Sequence, residues 1–329
     1  MPSPTLRLLA DLEAAGQLPP AQVAAIAADE RTRPFSLHYE LRALLYLGIM
    51  LLAGGVGALI YQHIDSIGHG VIIAAITLAM SASFAYAMRH SPAFTWREAP
   101  RTSIAADYLL LLGCLLFLVL EGYLQVQYEL FGTRYGLATV LPAVLFFALA
   151  YRFDHRGVLS MAITALATWV GVSVAPLEVF QQGLLWHSAL SLPALLLGLA
   201  LVAAGLLSEF LGCKRHFAFT YLALGANVAL LASMSLLFDE SGAYRLLWLG
   251  LILGLSAGLV WYARRTQSYL FLLLSVAYSY VALTYVLVVA LAKGNSTDWI
   301  TPMLVLYLPL TLLGIVLLFL NIKKILRLA

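Results

Sequence analysis

Charge is what this sequence is short of. Asp, Glu, Lys and Arg make up 11% of its 329 residues, where a soluble domain carries about 25%. A globule must cover itself with polar surface, and a chain that is 62% hydrophobic has too little to do so. An ordinary soluble domain is excluded, and a multispanning membrane protein is indicated. Cysteine is almost missing as well. Cys114 falls inside an apolar run and Cys213 in a short basic loop, so no disulfide framework is expected. The formal net charge of +3 gives no sign of a nucleic-acid partner. Residues 1–40 hold acids and prolines but no early apolar run, so no cleavable signal peptide is expected and the first membrane helix serves as the insertion signal.

Enzyme signatures are missing too. There is no Walker loop, Rossmann glycine fingerprint, HExxH or GxSxG, the local patterns that phosphate, dinucleotide, zinc and acyl-transfer chemistry require. No loop on the inner side is long enough for a catalytic domain. Cys114 has no cation beside it in sequence to activate a thiolate. The expectation is a chain that is not an enzyme and uses no cofactor.

What the sequence has in quantity is long apolar runs. A helix needs about 20 apolar residues to cross a hydrocarbon core about 30 Å thick. Ten runs qualify: Leu41–Ile60, Val71–Met88, Ile104–Leu124, Tyr135–Tyr151, Val158–Val174, Ser188–Leu211, Phe217–Phe238, Leu246–Ala263, Tyr269–Leu291 and Ile300–Leu320. None alternates as a barrel strand would. The predicted fold is an all-α polytopic transmembrane bundle of ten helices with both termini inside. A small cytoplasmic helical hairpin and linker (1–40) would precede the transmembrane domain (41–329).

Loop charges test that count. With the N-terminus inside and connections alternating, sixteen basic residues fall inside, among them Arg89, Arg97, Arg152, Arg156, Lys214, Arg215, Arg264 and Arg265. Only Arg134, Arg245 and Lys293 fall outside. That asymmetry follows the positive-inside rule, and an error of one span would scramble it. Counting acids as well, the outer face carries −4 and the inner face +7. The inner side would adhere to anionic headgroups. The basic side would face the cytoplasm.

Residues 5–33 predict the hairpin. Leu6, Leu9 and Leu12 form a helical stripe, Gly16 suits a C-terminal cap, and Pro19-Pro20 suit the start of a second helix. It is either a tether on the membrane surface or a module that docks a cytoplasmic partner. Small-residue seams mark two spans: Gly250, Gly254 and Gly258 on the eighth, and Ser191, Gly198, Gly205 and Gly212 on the sixth. Such seams let backbones approach closely, within the chain or in a homo-oligomer. The segments 41–174 and 188–320 are of nearly equal length, 134 and 133 residues. With five helices each they would be inverted halves, as in many transporters.

The stretch from Ile104 to Gly136 stands apart. It opens as an apolar helix and turns polar without becoming a loop, with Glu121, Gln125, Gln127, Tyr128 and Glu129 at its exit. Glu121, Gln125 and Tyr128 form a polar stripe on one helical face, as a vestibule lining would. Asn227 lies inside the seventh span, and Ser268, Ser275, Tyr278 and Tyr285 share a face of the ninth. These polar groups are either interhelical glue or the wall of a cavity facing Glu121 and Gln125. His63, Asp65, His69 and His187 gather on the outer side. They are weak metal candidates, because H-x-D-x-x-x-H matches no standard ligand spacing.

The hairpin, the first-span ending GGVGALIYQHIDSIG and the exit LQVQYELFG, with Gln127, Tyr128 and Gly132, resemble the bacterial predicted-membrane-protein family known as domain of unknown function twenty-one fifty-seven. The likeness runs over about residues 5–175. Where that family often has Asn-Trp before the first outer-loop aspartate, this chain has His63-Ile64 before Asp65. The resemblance implies a polytopic bacterial membrane protein and no particular activity. From the residues themselves, the expectation is a transporter or flippase-like permease for a small or amphiphilic solute, with the lipid bilayer as constant partner. The alternatives are a membrane sensor or assembly scaffold and, third, an intramembrane enzyme.

Overall fold

The computed structural model describes residues 38–99, 103–132, 134–174, 188–239 and 243–292, with short pieces among residues 12–24 and 306–320. Among the described residues every long element is an α-helix: α1 (His38–Ile67), α2 (His69–His90), α3 (Ile104–Tyr128), α4 (Leu137–Phe153), α5 (Arg156–Val174), α6 (Ser188–Leu211), α7 (Ala218–Asp239), α8 (Ala243–Thr266) and α9 (Tyr269–Ala292). A short 3-10 turn, Arg215–Phe217, leads into α7. Seven of these, α2, α3 and α5 to α9, are long and apolar enough to cross a membrane. The apolar stretch Ala43–Leu59 of α1 and the 17 residues of α4 are shorter. At 1.5 Å per residue α4 covers about 25 Å, which suits a core thinned locally or crossed upright. The predicted hairpin, the segment with His187, and most of the tenth expected span lie outside the described residues.

Contacts divide the chain into Met1–Gln62 and His63–Ala329. The described part of the first unit is mainly α1. All that follows concerns the second.

Local chemistry sets the helix ends. Ser103 caps α3 in extended conformation, its side chain accepting from Ala106 N, and Asp107 follows in the first turn where the helix dipole favours an acid. α3 and α4 end at Glu129 and Asp154, both in the left-handed region with φ 48 and 58, each returning its backbone N–H to the carbonyl four residues back. Asparagine, aspartate and glycine tolerate that conformation best, so Glu129 is the less usual of the two.

The core sits around α7, 67% of whose apolar window is buried against 17–39% in the other six long spans. α6 packs along it most closely, with α8, α9 and α5 around the rest. The α6–α7 contact is backbone against backbone. A Cβ on Gly198 would lie 2.5 Å from Ala229 N, and one on Gly225 2.7 Å from Leu201 Cβ. Gly205 similarly faces Leu222 and Tyr221. Outer faces of the helices carry large apolar side chains in the open, such as Leu78, Val126, Phe210 and Leu246. In water these would be an aggregation surface; in lipid they are the solvent-facing side.

At one end of the bundle three connections are tied together. Lys214 N donates to Trp96 O at 2.8 Å, Ala99 N to Asp154 Oδ2 at 2.7 Å, and Arg152 Nη1 to Pro92 O at 3.1 Å. The α2–α3, α4–α5 and α6–α7 links therefore lie on the same side.

Candidate functional site

The polar exit of α3 lies at the opposite end. Glu121 is only 7% exposed, and its Oε1 is buried with no hydrogen-bond partner among the described residues. A buried acceptor without a donor is costly, more so when it belongs to a charged group. Glu121 shares its helical face with Cys114, itself fully buried, so the face that the carboxylate occupies is turned inward.

Its neighbours along the stripe behave differently. Gln125 is spent on structure: its Oε1 accepts from Phe131 N at 2.9 Å and its Nε2 donates to Gly132 O at 3.1 Å. The turn that begins at Glu129 brings these two backbone groups back over the helix end, and the glutamine clasps them. Tyr128 is exposed. Gln127 points to α2, where its Nε2 lies 3.4 Å from His69 Nε2. The other ring nitrogen, His69 Nδ1, is 2.7 Å from the Tyr123 hydroxyl. His69, Tyr123 and Gln127 thus form a polar contact between the start of α2 and the end of α3. Sequence reasoning named His69 and Gln127 for other roles and passed over Tyr123, although its i, i+4 spacing to Gln127 was visible.

The polar residues of α7 and α9 form a separate group. The Tyr278 hydroxyl donates to Asn227 Oδ1 at 3.2 Å, and the Tyr285 hydroxyl to Phe238 O at 3.2 Å. Ser275 donates to Phe271 O, one turn back in its own helix. α3 packs mainly on α2, with smaller contacts to α4 and α5. Neither α7 nor α9 is a main partner of α3 among the described residues; Asn227, Ser275, Tyr278 and Tyr285 lie on those two helices, and Glu121 and Gln125 on α3. Ser191 and Ser235 pair across α6 and α7 at 2.7 Å.

Three clefts open between the described helices. One of about 130 Å³ lies among α5, α6 and α7 beside Ser191 and Ser235. A second, about 230 Å³, lies between α7 and α9 beside Met234 and Tyr278. The third, about 250 Å³, lies among α6, α7 and α8. Aliphatic and aromatic side chains dominate all three linings. The third is walled by Gly254 and Gly258, where an added Cβ would meet nothing within 4 Å among the described residues; the same is true at Gly250. Among the described residues the glycine seam of α8 is open, unlike that of α6.

Among the described residues no three His, Cys, Asp or Glu side chains converge as metal ligands. The side chains of His63 and Asp65, and His187 altogether, lie outside the described residues.

Sequence reasoning missed the buried ionic cluster at the other end. Lys214 Nζ lies 2.8 Å from Asp154 Oδ1, with side-chain exposures of 1% and 7%. His216 Nε2 lies 2.6 Å from the same oxygen, close in distance but not aligned as a hydrogen bond. Phe94 and Phe217 flank the ammonium at 5.5 and 5.9 Å. The available signal was a single acid in a short loop among bases, which loop charge counting treated as solvated.

These helices, apolar outside and hydrogen-bonded within, define a multispanning all-α membrane protein. Residues 10–159 match the model of the family described as Predicted membrane protein (DUF2157), the family that the N-terminal half resembles in sequence. No curated protein and no solved structure matches the chain.

Proposed function

We propose that this chain is a transporter, a flippase-like permease that moves a small or amphiphilic solute with a cationic or polar head across the cytoplasmic membrane of a bacterium. In this reading the chain crosses ten times with both termini inside, and the hairpin at 5–33 lies on the cytoplasmic surface. The observation that carries the reading is Glu121, a buried carboxylate with one oxygen unpartnered among the described residues. Such a group inside a membrane helix is expensive and marks a substrate or ion path more often than it marks packing.

A specific observation favours a second reading, a non-transporting scaffold or sensor. The hydroxyls and amide of α7 and α9 that sequence placed on a solute path are hydrogen-bonded to one another or to backbone, as interhelical glue would be. The two readings separate in reconstituted proteoliposomes. A permease accelerates entry of a fluorescent amphiphilic cation or translocation of a headgroup-labelled lipid over protein-free vesicles, and Glu121→Gln removes the acceleration. Vesicles holding folded protein but no faster than empty ones, across both probes, leave the scaffold.

A further inference from the structure

The third cleft has a charged rim. Its lining includes Val202 and Leu206 of α6, Ala226 of α7, and Gly258, Trp261 and Tyr262 of α8. The Tyr262 hydroxyl donates to Glu209 Oε2 at 3.0 Å. Glu209 Oε1 lies 3.5 Å from Arg265 Nη2 and 3.8 Å from Arg215 Nη2, and the Arg265 guanidinium stands 5.8 Å over the Trp261 ring. The cleft is thus continuous with a cluster in which one glutamate meets two arginines, with Arg264 next in sequence. Glu209 is 12% exposed, whereas Arg215 and Arg265 are 71% and 49% exposed. Each guanidinium carries five N–H donors, so most of these face outward unspent.

We propose that this cleft binds an anionic phospholipid, its phosphate on Arg265 and Arg215 and one acyl chain along Gly258 and Gly254. Length agrees: from Arg265 back to Gly254 is about 16 Å of helix, close to half of a hydrocarbon core of about 30 Å. Shape agrees, because the two glycines leave space that a side chain would fill. Charge decides between occupants. A helix of a second copy would fill the groove but bring no phosphate to the surplus cations, whereas an anionic headgroup offers the oxygens that guanidinium forks match. The rim also falls on the side that collects basic residues, where anionic lipid is drawn. The site is independent of transport: a scaffold would hold the lipid equally well.

The test uses the full chain in nanodiscs of phosphatidylcholine, with bromine-labelled acyl chains supplied on either phosphatidylcholine or phosphatidylglycerol. The difference in quenching between the wild type and Trp261→Phe isolates Trp261. Phosphatidylglycerol should quench it several-fold better at low mole fraction. Arg215→Gln with Arg265→Gln should bring the two lipids level. Gly258→Leu, whose side chain enters open space, should reduce the preference while leaving every charge in place. Equal quenching by both lipids in the wild type overturns the proposal, as does a preference that survives loss of both arginines. Inorganic phosphate that abolishes the preference would reassign the rim to a free anion. Dimer cross-linking lost in Gly258→Leu, without any lipid preference, would give the cleft to a second copy.

Discussion

Lys214 Nζ and Asp154 Oδ1 meet at 2.8 Å behind a wall of Phe94 and Phe217, across sixty residues of sequence. Both residues occupy left-handed turns, with φ 50 and 58, so each is presented by a sharp bend rather than by a helix face. The other carboxylate oxygen holds Ala99 N, and through it the α2–α3 connection. Removing one partner strands a buried charge, which costs roughly 3–5 kcal/mol, whereas removing both costs far less. Lys214→Met and Asp154→Asn should therefore each lower thermal stability in detergent substantially. Their double variant should be more stable than the sum of the two losses implies. Strict additivity would mean that the pair is not coupled.

Two small-residue seams should respond oppositely to leucine. Gly198→Leu forces a branched side chain into Ala229, where even a Cβ comes to 2.5 Å from a backbone nitrogen. Overpacking of this sort costs about 1–3 kcal/mol or more, and α6 and α7 should separate or the protein fail to express. Gly254→Leu enters space with nothing within 4 Å among the described residues. Its effect on stability should lie within about 0.5 kcal/mol. Thermal unfolding followed by size-exclusion chromatography ranks the two.

That contrast shows where sequence was legible and where it stopped. Span length and loop charge are properties of one segment at a time, and nine apolar helices stand among the described residues where runs of apolar residues place them. Who faces a seam is a property of two segments. Gly198 meets Ala229 and Gly225, while Gly254 meets no such partner among the described residues, yet sequence assigns both seams the same role. Gln125 is a similar case. Helical spacing puts it on the face of Glu121, and the left-handed turn at Glu129 returns Phe131 N and Gly132 O to its amide, a contact that the spacing within one helix does not carry. The Asp154 cluster has only a lone acid among bases to announce it, because it needs three loops to converge.

That convergence sets which connections share an end of the bundle. The links at 91–103, 154–155 and 212–217 share one end of the bundle, and Arg265 of α8 reaches Glu209 of α6, so the α8–α9 turn belongs with them. Single cysteines at Ser91 and Thr266, in a background with exposed Cys213 replaced by serine, should react only with permeant reagent in intact cells. Cysteines at Ser66, Ser241 and Ser296 should react with impermeant maleimide. Ser241 and Thr266 flank α8, and finding both on one side would break the ten-span count.

Glu121 carries the sharpest prediction. It lies seventeen residues into α3 after Ile104, about 25 Å along the axis, near the boundary of the core rather than its centre. At that depth an exposed carboxylate would reach headgroups or water at little cost. Glu121 does not take that route: it turns inward, 7% exposed, with Oε1 unpartnered among the described residues. The nearby polar groups are engaged elsewhere, Gln125 on the turn and Tyr123 on His69. A carboxylate that packing alone required would have been given a donor, since an unsatisfied buried acceptor costs about 1–3 kcal/mol. One left without a donor is ready for a group that arrives and leaves. Glu121→Gln keeps the shape and removes the charge, and its stability should equal or exceed that of the wild type. Movement of an amphiphilic cation should fall to the level of empty vesicles. Glu121→Asp keeps the charge but withdraws it by one methylene, and should retain part of the rate. A stable Glu121→Gln protein that moves the probe at the wild-type rate would remove this residue from the path. A Glu121→Gln protein that loses stability by several kcal/mol would give the carboxylate a structural partner instead.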